Sequence, residues 1–210
     1  MKVALVRPRY KTHIINPPLG IAYLAAYLKS HQVEVVVIDG LRDALSPEDL
    51  AGRIAAHRPD LVGISCLTAY YYETARLCAL VKERGIATVI GGVHPTFLPY
   101  STLRETGADF VVCGEGERAL LALAQNGKSG VRIPGVYRRG DLQSDADPVE
   151  RAQIVENLDE LPFPDWGEIS PGSYPIAPHG AVVKAFPVGA LATTRGCVNE
   201  CTFCASPGFY

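Results

Sequence analysis

Residues 61–92 read LVGISCLTAYYYETARLCALVKERGIATVIGG and show the pattern from which the fold class can be inferred. Two short runs rich in valine and isoleucine, at 61–65 and 87–90, enclose a segment in which apolar residues recur with helical spacing. Short apolar runs that hardly alternate are typical of strands buried on both faces, and Gly85 is a suitable residue for a helix end. This stretch therefore predicts one strand–helix–strand unit.

The same alternation of strand and helix extends over residues 1–127. Further strands are predicted at 3–6, 33–38 and 110–113, and helical patterns separate them. Successive strand–helix units require right-handed crossovers, which place helices on both faces of a parallel sheet. We predict an α/β domain with a doubly wound, Rossmann-like sheet of five parallel strands in the flavodoxin-like order 2-1-3-4-5.

Helical periodicity is weaker in the remainder of the chain. Residues 128–188 contain a proline-rich stretch at 158–166 and a small hairpin predicted at 133–141, so we expect a linker laid over the surface. Residues 189–210 form a third region, in which three of the six cysteines lie close together. The predicted organisation is one domain, a linker and the start of a second domain.

Composition excludes several classes of protein. Hydrophobic residues make up 48% and charged residues 20% of the 210-residue chain, which excludes a disordered protein. A net charge of −2 and the lack of a long basic run argue against a nucleic-acid partner or an anionic membrane. No stretch of the sequence has the pattern of a signal sequence or a membrane span. We therefore expect a cytoplasmic protein, whose cysteines are thiols or metal ligands rather than disulfides.

The loops that follow the predicted strands hold most of the glycine, proline and polar residues of the first domain. Ligands of open parallel sheets bind beyond the carboxyl ends of the strands, so these loops should meet along one rim. Gly91 and Gly92 follow the fourth strand, where missing side chains would let a flat or bulky ligand approach the backbone. A tight turn explains the same pair equally well. Ser65 supplies an uncharged hydroxyl after the third strand.

Two common ligand sites of such sheets do not fit the sequence. A dinucleotide site needs G-x-G-x-x-G after the first strand, where only Gly20 is present, and Gly114-x-Gly116 lacks the third glycine. A phosphoacceptor site would need acidic residues after the first and third strands, where Arg9 and Ser65 stand instead. Both kinds of site are excluded.

The combination of Ser65-x-Leu67 with Gly91-Gly92 resembles the cobalamin-binding domain, in which these motifs line the slot for the nucleotide tail of cobalamin. The family signature also has Asp-x-His-x-x-Gly after the first strand. Alignment on Gly20 puts Ile15 and Pro17 at the Asp and His positions, so this site offers the cobalt no histidine. His13 has the wrong spacing, and we predict that it is a solvent-exposed loop residue.

Three further phrases are typical of cobalamin-binding domains fused to radical S-adenosylmethionine enzymes. They are Gly-Gly-Val-His-Pro-Thr at 91–96, Gly-Glu-Gly-Glu at 114–117 and Leu-Asp-Glu-Leu-Pro-Phe-Pro-Asp at 158–165. The resemblance implies a cobalamin site in which the loop from residue 9 to residue 20 faces the cobalt. The residues implied to bind the cofactor are Arg9, Tyr10, Pro17, Leu19, Gly20, Ser65, Leu67, Thr68, Tyr70, Gly91, Gly92, Val93, His94, Gly114, Glu115 and Glu117.

Some of these residues also have a simpler explanation. Glu117 is predicted to open a helix, where the helix dipole stabilises a carboxylate by about 0.3 to 1 kcal/mol. The run Tyr70-Tyr71-Tyr72 is typical of packing around a helix start. Cys66, Cys78 and Cys113 are predicted to be small core residues.

The remaining cysteines form the motif Thr-Arg-Gly-Cys-Val-Asn-Glu-Cys-Thr-Phe-Cys at 194–204. Its three thiols could hold one iron–sulfur cluster, and three ligands on a four-iron cluster leave one iron open. Zinc is the alternative metal, but its common structural sites need a fourth ligand, which does not follow here.

The C-x₃-C-x₂-C spacing with Phe203 before the third cysteine closely resembles the radical S-adenosylmethionine superfamily. The resemblance implies that Cys197, Cys201 and Cys204 ligate a [4Fe-4S] cluster, which binds S-adenosylmethionine and cleaves it to a 5′-deoxyadenosyl radical. It also implies a reductant of the ferredoxin or flavodoxin type, and a first barrel strand at 189–194. The chain ends six residues after Cys204, and a barrel needs about 200 more residues. We therefore expect a truncated barrel domain with an incomplete S-adenosylmethionine site.

Two functional hypotheses follow. In the first, the chain is the N-terminal portion of a cobalamin-dependent radical S-adenosylmethionine enzyme that acts on a small molecule. The implied reaction is methyl transfer to an unactivated carbon or oxidative cyclisation of a magnesium-porphyrin ester, and the portion alone is not expected to be active. In the second, the chain is a non-catalytic Rossmann-like binding module that no longer binds cobalamin.

Overall fold

The protein has a mostly parallel β-sheet between two layers of helices. The computed structural model describes residues 1–126, 131–177 and 183–209. Six strands form the sheet within these ranges, in the spatial order β2-β1-β3-β4-β5-β6. The strands are β1 Lys2–Arg7, β2 Glu34–Asp39, β3 Leu61–Ser65, β4 Ala87–Gly91, β5 Phe110–Val112 and β6 Val136–Arg138. The first five are parallel, which confirms the predicted order 2-1-3-4-5.

The sixth strand corrects the prediction of a five-stranded sheet. β6 pairs antiparallel with β5, so the residues expected to form a separate hairpin instead extend the sheet at its edge. Gly135 makes this possible: its φ is +75°, and a Cβ there would lie 2.1 Å from the Ala152 nitrogen. The Cys113 N–H donates to the Gly135 carbonyl, and the Ala152 N–H donates to the Cys113 carbonyl, each at 2.8 Å.

Helices cover both faces of the sheet, because successive side chains of each strand point in opposite directions. Val3 and Leu5 of β1 pack in one core, while Ala4 and Val6 pack in the other. The helices are α1 Leu19–Ser30, α2 Pro47–Ala56, α3 Tyr71–Lys82, α4 Val93–Phe97, α5 Pro99–Thr106, α6 Glu117–Asn126 and α7 Ser206–Phe209. The first core lies under α1 and α6, and the second under α2, α3 and α5. None of the helices within the described ranges has the length and apolar character needed to cross a membrane.

The region predicted as a surface linker is partly built into the domain. Ile169 is fully buried in the core under α1 and α6. Lys29 of α1 forms ion pairs with Asp165 at 2.7 Å and with Glu168 at 2.6 Å, on the turn that carries this segment into the core. Part of the predicted linker, at 128–130 and 178–182, lies outside the described residues, as does the predicted boundary at 127.

The last described segment lies across the carboxyl edge of the sheet. Residues 189–194 have no regular secondary structure there, which differs from the predicted barrel strand. A strand needs a neighbour to satisfy its backbone hydrogen bonds, and the part of the chain that the structure describes offers these residues none. The segment ends in the single helical turn of α7, which packs against α4.

Candidate functional site

A cleft of about 610 Å³ opens where the loops after β1, β3, β4 and β5 meet, at the predicted rim of the sheet. This volume lies within the range of small-molecule and cofactor sites. Most of the residues implied by the resemblance line the cleft, namely Tyr10, Pro17, Leu19, Gly20, Ser65, Leu67, Tyr70, Gly91, Gly92, Gly114, Glu115 and Glu117. The structure therefore brings together residues that are widely separated in the sequence.

Arg9, Thr68, Val93 and His94 are not on the cleft wall, which differs from the sequence-based expectation. The Arg9 guanidinium donates to the carbonyl of Ala44 at 2.7 Å and thus points towards the loop after β2. Val93 begins α4, beyond the glycine pair.

His94 is buried behind the cleft. Its Nδ1 lies 3.0 Å from the Thr68 hydroxyl, and its ring packs on that of Tyr71 with 4.3 Å between centroids. Burial lowers the pKa of His94. The contact of His94 with Thr68 thus holds the turn after β3 against α4.

The two glycines after β4 have different reasons to be glycine. Gly92 has φ +116°, and a Cβ there would lie 2.6 Å from the Cys66 carbonyl oxygen, so the turn itself requires it. A Cβ at Gly91 would come no nearer than 4.0 Å to any atom, the closest being the Val112 Cβ. Gly91 therefore leaves open space in the cleft that the backbone does not require. The tight turn therefore explains why residue 92 is glycine. Access of a ligand to the backbone remains the explanation for glycine at position 91.

An aromatic wall stands on one side of the cleft. The rings of Tyr10 and Tyr70 are stacked with 4.4 Å between centroids and an interplanar angle of 25°. The Tyr70 hydroxyl lies 3.2 Å from the Ser65 hydroxyl, so one donates to the other. Burial raises the pKa of Tyr70 to about 12, so its phenol keeps the proton near neutral pH. Ser65 and Tyr70 thus present neutral hydroxyl groups to the cleft.

A buried ion pair that the sequence analysis missed supports the loop facing the cleft. Arg7 ends β1 and donates to both carboxylate oxygens of Asp39 at the end of β2, at 2.9 and 2.6 Å. It also donates to the Asn16 carbonyl at 2.9 Å, which fixes the loop before α1. The Tyr174 hydroxyl donates to Asp39 at 2.7 Å. The sequence could have indicated this ion pair, because opposite charges end two neighbouring strands. Arg7 and Asp39 lie opposite each other in the register of β1 and β2.

A second missed residue, Arg195, lies between two acidic residues of the cleft wall. Its guanidinium is 3.1 Å from a Glu115 carboxylate oxygen and 2.7 Å from one of Glu117. The guanidinium carbon also lies 5.1 Å from the centre of the Tyr23 ring. Glu117 is the first residue of α6, as predicted. The carboxylates of Glu115 and Glu117 are therefore held by a residue 78 or more positions further along the chain.

The three cysteines that were predicted to be core residues are buried, as expected. Cys66, Cys78 and Cys113 are fully buried core residues, and burial raises the pKa of Cys66 to about 11 and of Cys113 to about 12.

The thiols of the terminal motif, Cys197, Cys201 and Cys204, are exposed. Within residues 1–126, 131–177 and 183–209, no three His, Cys, Asp or Glu side chains are gathered in a way that could hold a metal ion. The Ser206 N–H lies 3.4 Å from the Cys204 sulfur, and hydrogen bonding from Ser206 lowers the pKa of this thiol. The structure thus leaves the three thiols accessible, and their role as cluster ligands stays a prediction.

Comparison with known proteins identifies the domain. Residues 11–124, more than half of the chain, match the family model of the B12 binding domain. The chain belongs to the B12-binding domain family. The match of this B12-binding domain includes the loop before α1, the turn after β3, the glycine pair and the start of α6, which together form most of the cleft wall.

Two curated relatives match essentially the whole chain. The uncharacterized methyltransferase PH0819 of Pyrococcus horikoshii is 32% identical over 98% of this chain and 45% of its own length. The anaerobic magnesium-protoporphyrin IX monomethyl ester cyclase of Rubrivivax gelatinosus is 32% identical over 100% of this chain and 39% of its own length. The chain therefore spans less than half the length of these two relatives. They confirm the resemblance to both a methyltransferase and a cyclase group.

A solved structure confirms the fold class. The cobalamin-dependent S-adenosylmethionine radical enzyme OxsB, with aqua-cobalamin and S-adenosylmethionine bound, has a TM-score of 0.65 at 23% identity. The likeness covers 80% of this chain and 25% of that protein. It extends the agreement in architecture beyond the residues matched by the family model.

The residues of the cleft fit cobalamin on chemical grounds. The open space at Gly91 offers backbone without a side chain, and the neighbouring Ser65 and Tyr70 hydroxyls are neutral hydrogen-bonding groups. Pro17 lies on the wall where the family signature places histidine, so that position supplies no nitrogen ligand. His13 is exposed, as predicted, and is not part of the wall.

Proposed function

We propose that this B12-binding domain holds cobalamin in the cleft, with the nucleotide tail of the cofactor placed between the carboxyl ends of β3 and β4. The open space at Gly91 is the observation that carries this proposal, because the fold does not need a glycine there. In this arrangement Ser65 and Tyr70 hydrogen-bond to the tail, and Leu67 contacts it. The loop from residue 9 to residue 20 then faces the corrin ring.

The cobalt receives no ligand from the protein in this proposal. Pro17 and Ile15 occupy the positions where histidine and aspartate stand in the family signature. When bound, cobalamin supplies a metal that carries a methyl group between a donor and an acceptor. The chain's contribution would be to hold the corrin ring in the cleft, with Pro17 rather than a nitrogen donor at the signature position.

We further propose that the chain is the N-terminal portion of a cobalamin-dependent radical S-adenosylmethionine enzyme. Cys197, Cys201 and Cys204 would ligate a [4Fe-4S] cluster that binds S-adenosylmethionine, with a ferredoxin- or flavodoxin-type protein as reductant. Ala190, Ala192 and Thr194 line the cleft, so the segment leading to these cysteines lies beside the proposed cobalamin site. The reaction would be methyl transfer or cyclisation, in keeping with the names of the two relatives. Methyl transfer to an unactivated carbon and oxidative cyclisation are the forms that the family resemblance implies.

The domain boundaries belong to the same proposal. Residues 1–127 would form the cobalamin domain and residues 128–188 the linker. Residues 189–210 would begin the radical S-adenosylmethionine domain. The buried side chain of Ile169 and the pairing of β6 with β5 support a linker that also stabilises the first unit.

The test is a comparison of two glycine variants in hydroxocobalamin binding. Each protein is mixed with hydroxocobalamin and desalted, and the visible spectrum is recorded. The unsubstituted parent chain should retain bound cobalamin after desalting. Gly91→Val should lose at least about nine-tenths of the bound cobalamin, because the new side chain fills the slot proposed for the nucleotide tail. Valine favours strands, so this variant should remain folded in circular dichroism.

Gly52→Val provides the matched control, because Gly52 lies in α2, away from the cleft, and an added Cβ there would meet no atom within 4 Å. This variant should bind as much cobalamin as the parent chain. A colourless parent chain would overturn the proposal and favour a binding module without cobalamin. Full occupancy in Gly91→Val would refute the placement of the nucleotide tail.

A further inference from the structure

Arg195 attaches the start of the cysteine segment to the cleft wall. Its guanidinium pairs with Glu115 at 3.1 Å and with Glu117 at 2.7 Å, and it packs over the Tyr23 ring. Arg195 precedes Cys197 by two positions. The start of the cysteine motif is therefore tied to the end of β5 and the first turn of α6.

Both carboxylates of this pair are almost buried. Glu115 is 7% exposed and Glu117 is 4% exposed, while the Arg195 side chain is 17% exposed. The second oxygen of Glu115 accepts from the Val155 N–H at 3.1 Å, which fixes that carboxylate from the linker side. Breaking a buried ion pair by removing one partner is costly, because the remaining charge has lost its compensation. The arrangement therefore favours one position of the residues around Arg195.

The other end of the motif is also held against the domain. α7 follows Cys204 and packs against α4, where a Cβ at Gly208 would lie 2.8 Å from the Phe97 ring. Thr194 and Phe209 both line the cleft. The exposed thiols thus lie in the chain between two segments that line the cleft.

We propose that Arg195, through Glu115 and Glu117, is a positioning residue that fixes the cysteine motif beside the cobalamin cleft. This inference rests on the proposed function, in which the three thiols carry a cluster and the cleft carries cobalamin. Transfer between two bound groups depends strongly on their separation and orientation. The ion pairs of Arg195 with Glu115 and Glu117 set that separation from the side of the cobalamin cleft. They do so independently of any contact made by the barrel.

The test measures the position of the motif directly. A nitroxide is attached to Cys197 in a chain with Cys201→Ser and Cys204→Ser, and a second to Tyr72→Cys on α3, where the native side chain is 84% exposed. Cys66, Cys78 and Cys113 are fully buried and should not react. Double electron–electron resonance should give one narrow distance distribution, which Arg195→Gln broadens at least about twofold.

Two further variants separate positioning from folding. Arg118→Gln removes the same charge from α6, but Arg118 approaches the exposed Glu160 at 4.0 Å and does not contact the motif, so the narrow distribution should persist. The triple variant Glu115→Gln, Glu117→Gln, Arg195→Gln leaves no uncompensated buried charge. It should therefore fold stably and still give the broad distribution. A narrow distribution in this triple variant would overturn the proposal.

The same labelled proteins distinguish this inference from the proposed function. The two-nitroxide measurement needs no cobalamin, so it tests the attachment of the motif even if the parent chain remains colourless. Cobalamin can also be bound and reduced to its paramagnetic cob(II)alamin form. The distribution of distances from the Cys197 label to the cobalt should then broaden in Arg195→Gln as well. An unchanged cobalt distance in that variant would contradict the role of Arg195 towards the cofactor.

Discussion

At the scale of single residues, adjacent glycines in this domain serve different purposes. Gly92 is required by its own backbone, whereas Gly91 faces open space in the cleft. The distinction depends on φ and on the nearest atom to an added Cβ, neither of which is visible in the sequence. It means that substitutions one position apart should affect different properties, stability at Gly92 and cobalamin binding at Gly91.

Gly92→Ala should destabilise the fold by about 3 kcal/mol, because the positive φ is strained for alanine and the new Cβ would clash with the Cys66 carbonyl. Urea unfolding measures the loss. Gly52→Ala is the matched control, since it lies in a helix where alanine should stabilise the protein by about 0.5 to 1 kcal/mol. Equal stability of Gly92→Ala and the parent chain would contradict the structural role of Gly92.

A second prediction at this scale concerns whether a histidine of the chain ligates the cobalt. His13 is exposed and is not on the cleft wall, and Pro17 occupies the signature position of the ligand. His13→Ala should therefore bind hydroxocobalamin with the same visible spectrum and the same occupancy as the parent chain. A large loss of occupancy in His13→Ala, or a shift of its absorption bands, would show that His13 ligates the cobalt.

At the scale of elements, the ends of β1 and β2 are joined by the buried pair of Arg7 and Asp39, on which the loop before α1 and the linker both depend. Tyr174 contributes from the linker by donating to Asp39 at 2.7 Å. Hydrogen bonds to charged groups typically contribute about 1.5 to 3 kcal/mol. Tyr174→Phe should therefore lower the free energy of unfolding by about 2 kcal/mol near neutral pH, as measured by urea unfolding.

The pH dependence of stability tests the same contact. Burial and the neighbouring Asp39 carboxylate raise the pKa of Tyr174, so the folded state holds the phenol proton more tightly than the unfolded chain. This contribution is complete below the unfolded pKa of about 10 and is lost as the pH rises above it. The free energy of unfolding should thus fall as the pH rises above about 10, and fall less in Tyr174→Phe. Tyr72→Phe, at an exposed position, should keep the parent's slope in urea unfolding.

The elements also show how far the sequence could predict this structure. The five parallel strands are each short and dominated by apolar residues, so local pattern was sufficient to predict them. β6 lies within the hairpin predicted at 133–141, but its pairing with β5 depends on the turn at Gly135, which local pattern does not specify. The contact of Arg195 with Glu117 joins residues 78 positions apart. Such pairs arise from the path of the linker, which periodicity does not determine.

At the scale of the whole molecule, the cleft lies between two parts of different character. The B12-binding domain supplies a packed wall of strand ends and loops, and the cysteine segment supplies exposed thiols held at both ends of the motif. A metal that needs three thiolates would have to draw these side chains together, so cluster binding should rearrange the thiols between the two points at which the motif is attached. The accessible thiols are therefore consistent with a site that the cluster itself completes.

Replacement of Cys197, Cys201 or Cys204 by serine should each abolish the cluster, because a four-iron cluster held by three thiolates has no spare ligand in this motif. Anaerobic reconstitution with iron and sulfide should give about four iron atoms per parent chain and almost none in each variant. Cys78→Ala is the control, since Cys78 is fully buried under α3 and should leave the iron content unchanged. Full iron retention in all three serine variants, or zinc in the parent chain as isolated, would refute the assignment of these cysteines.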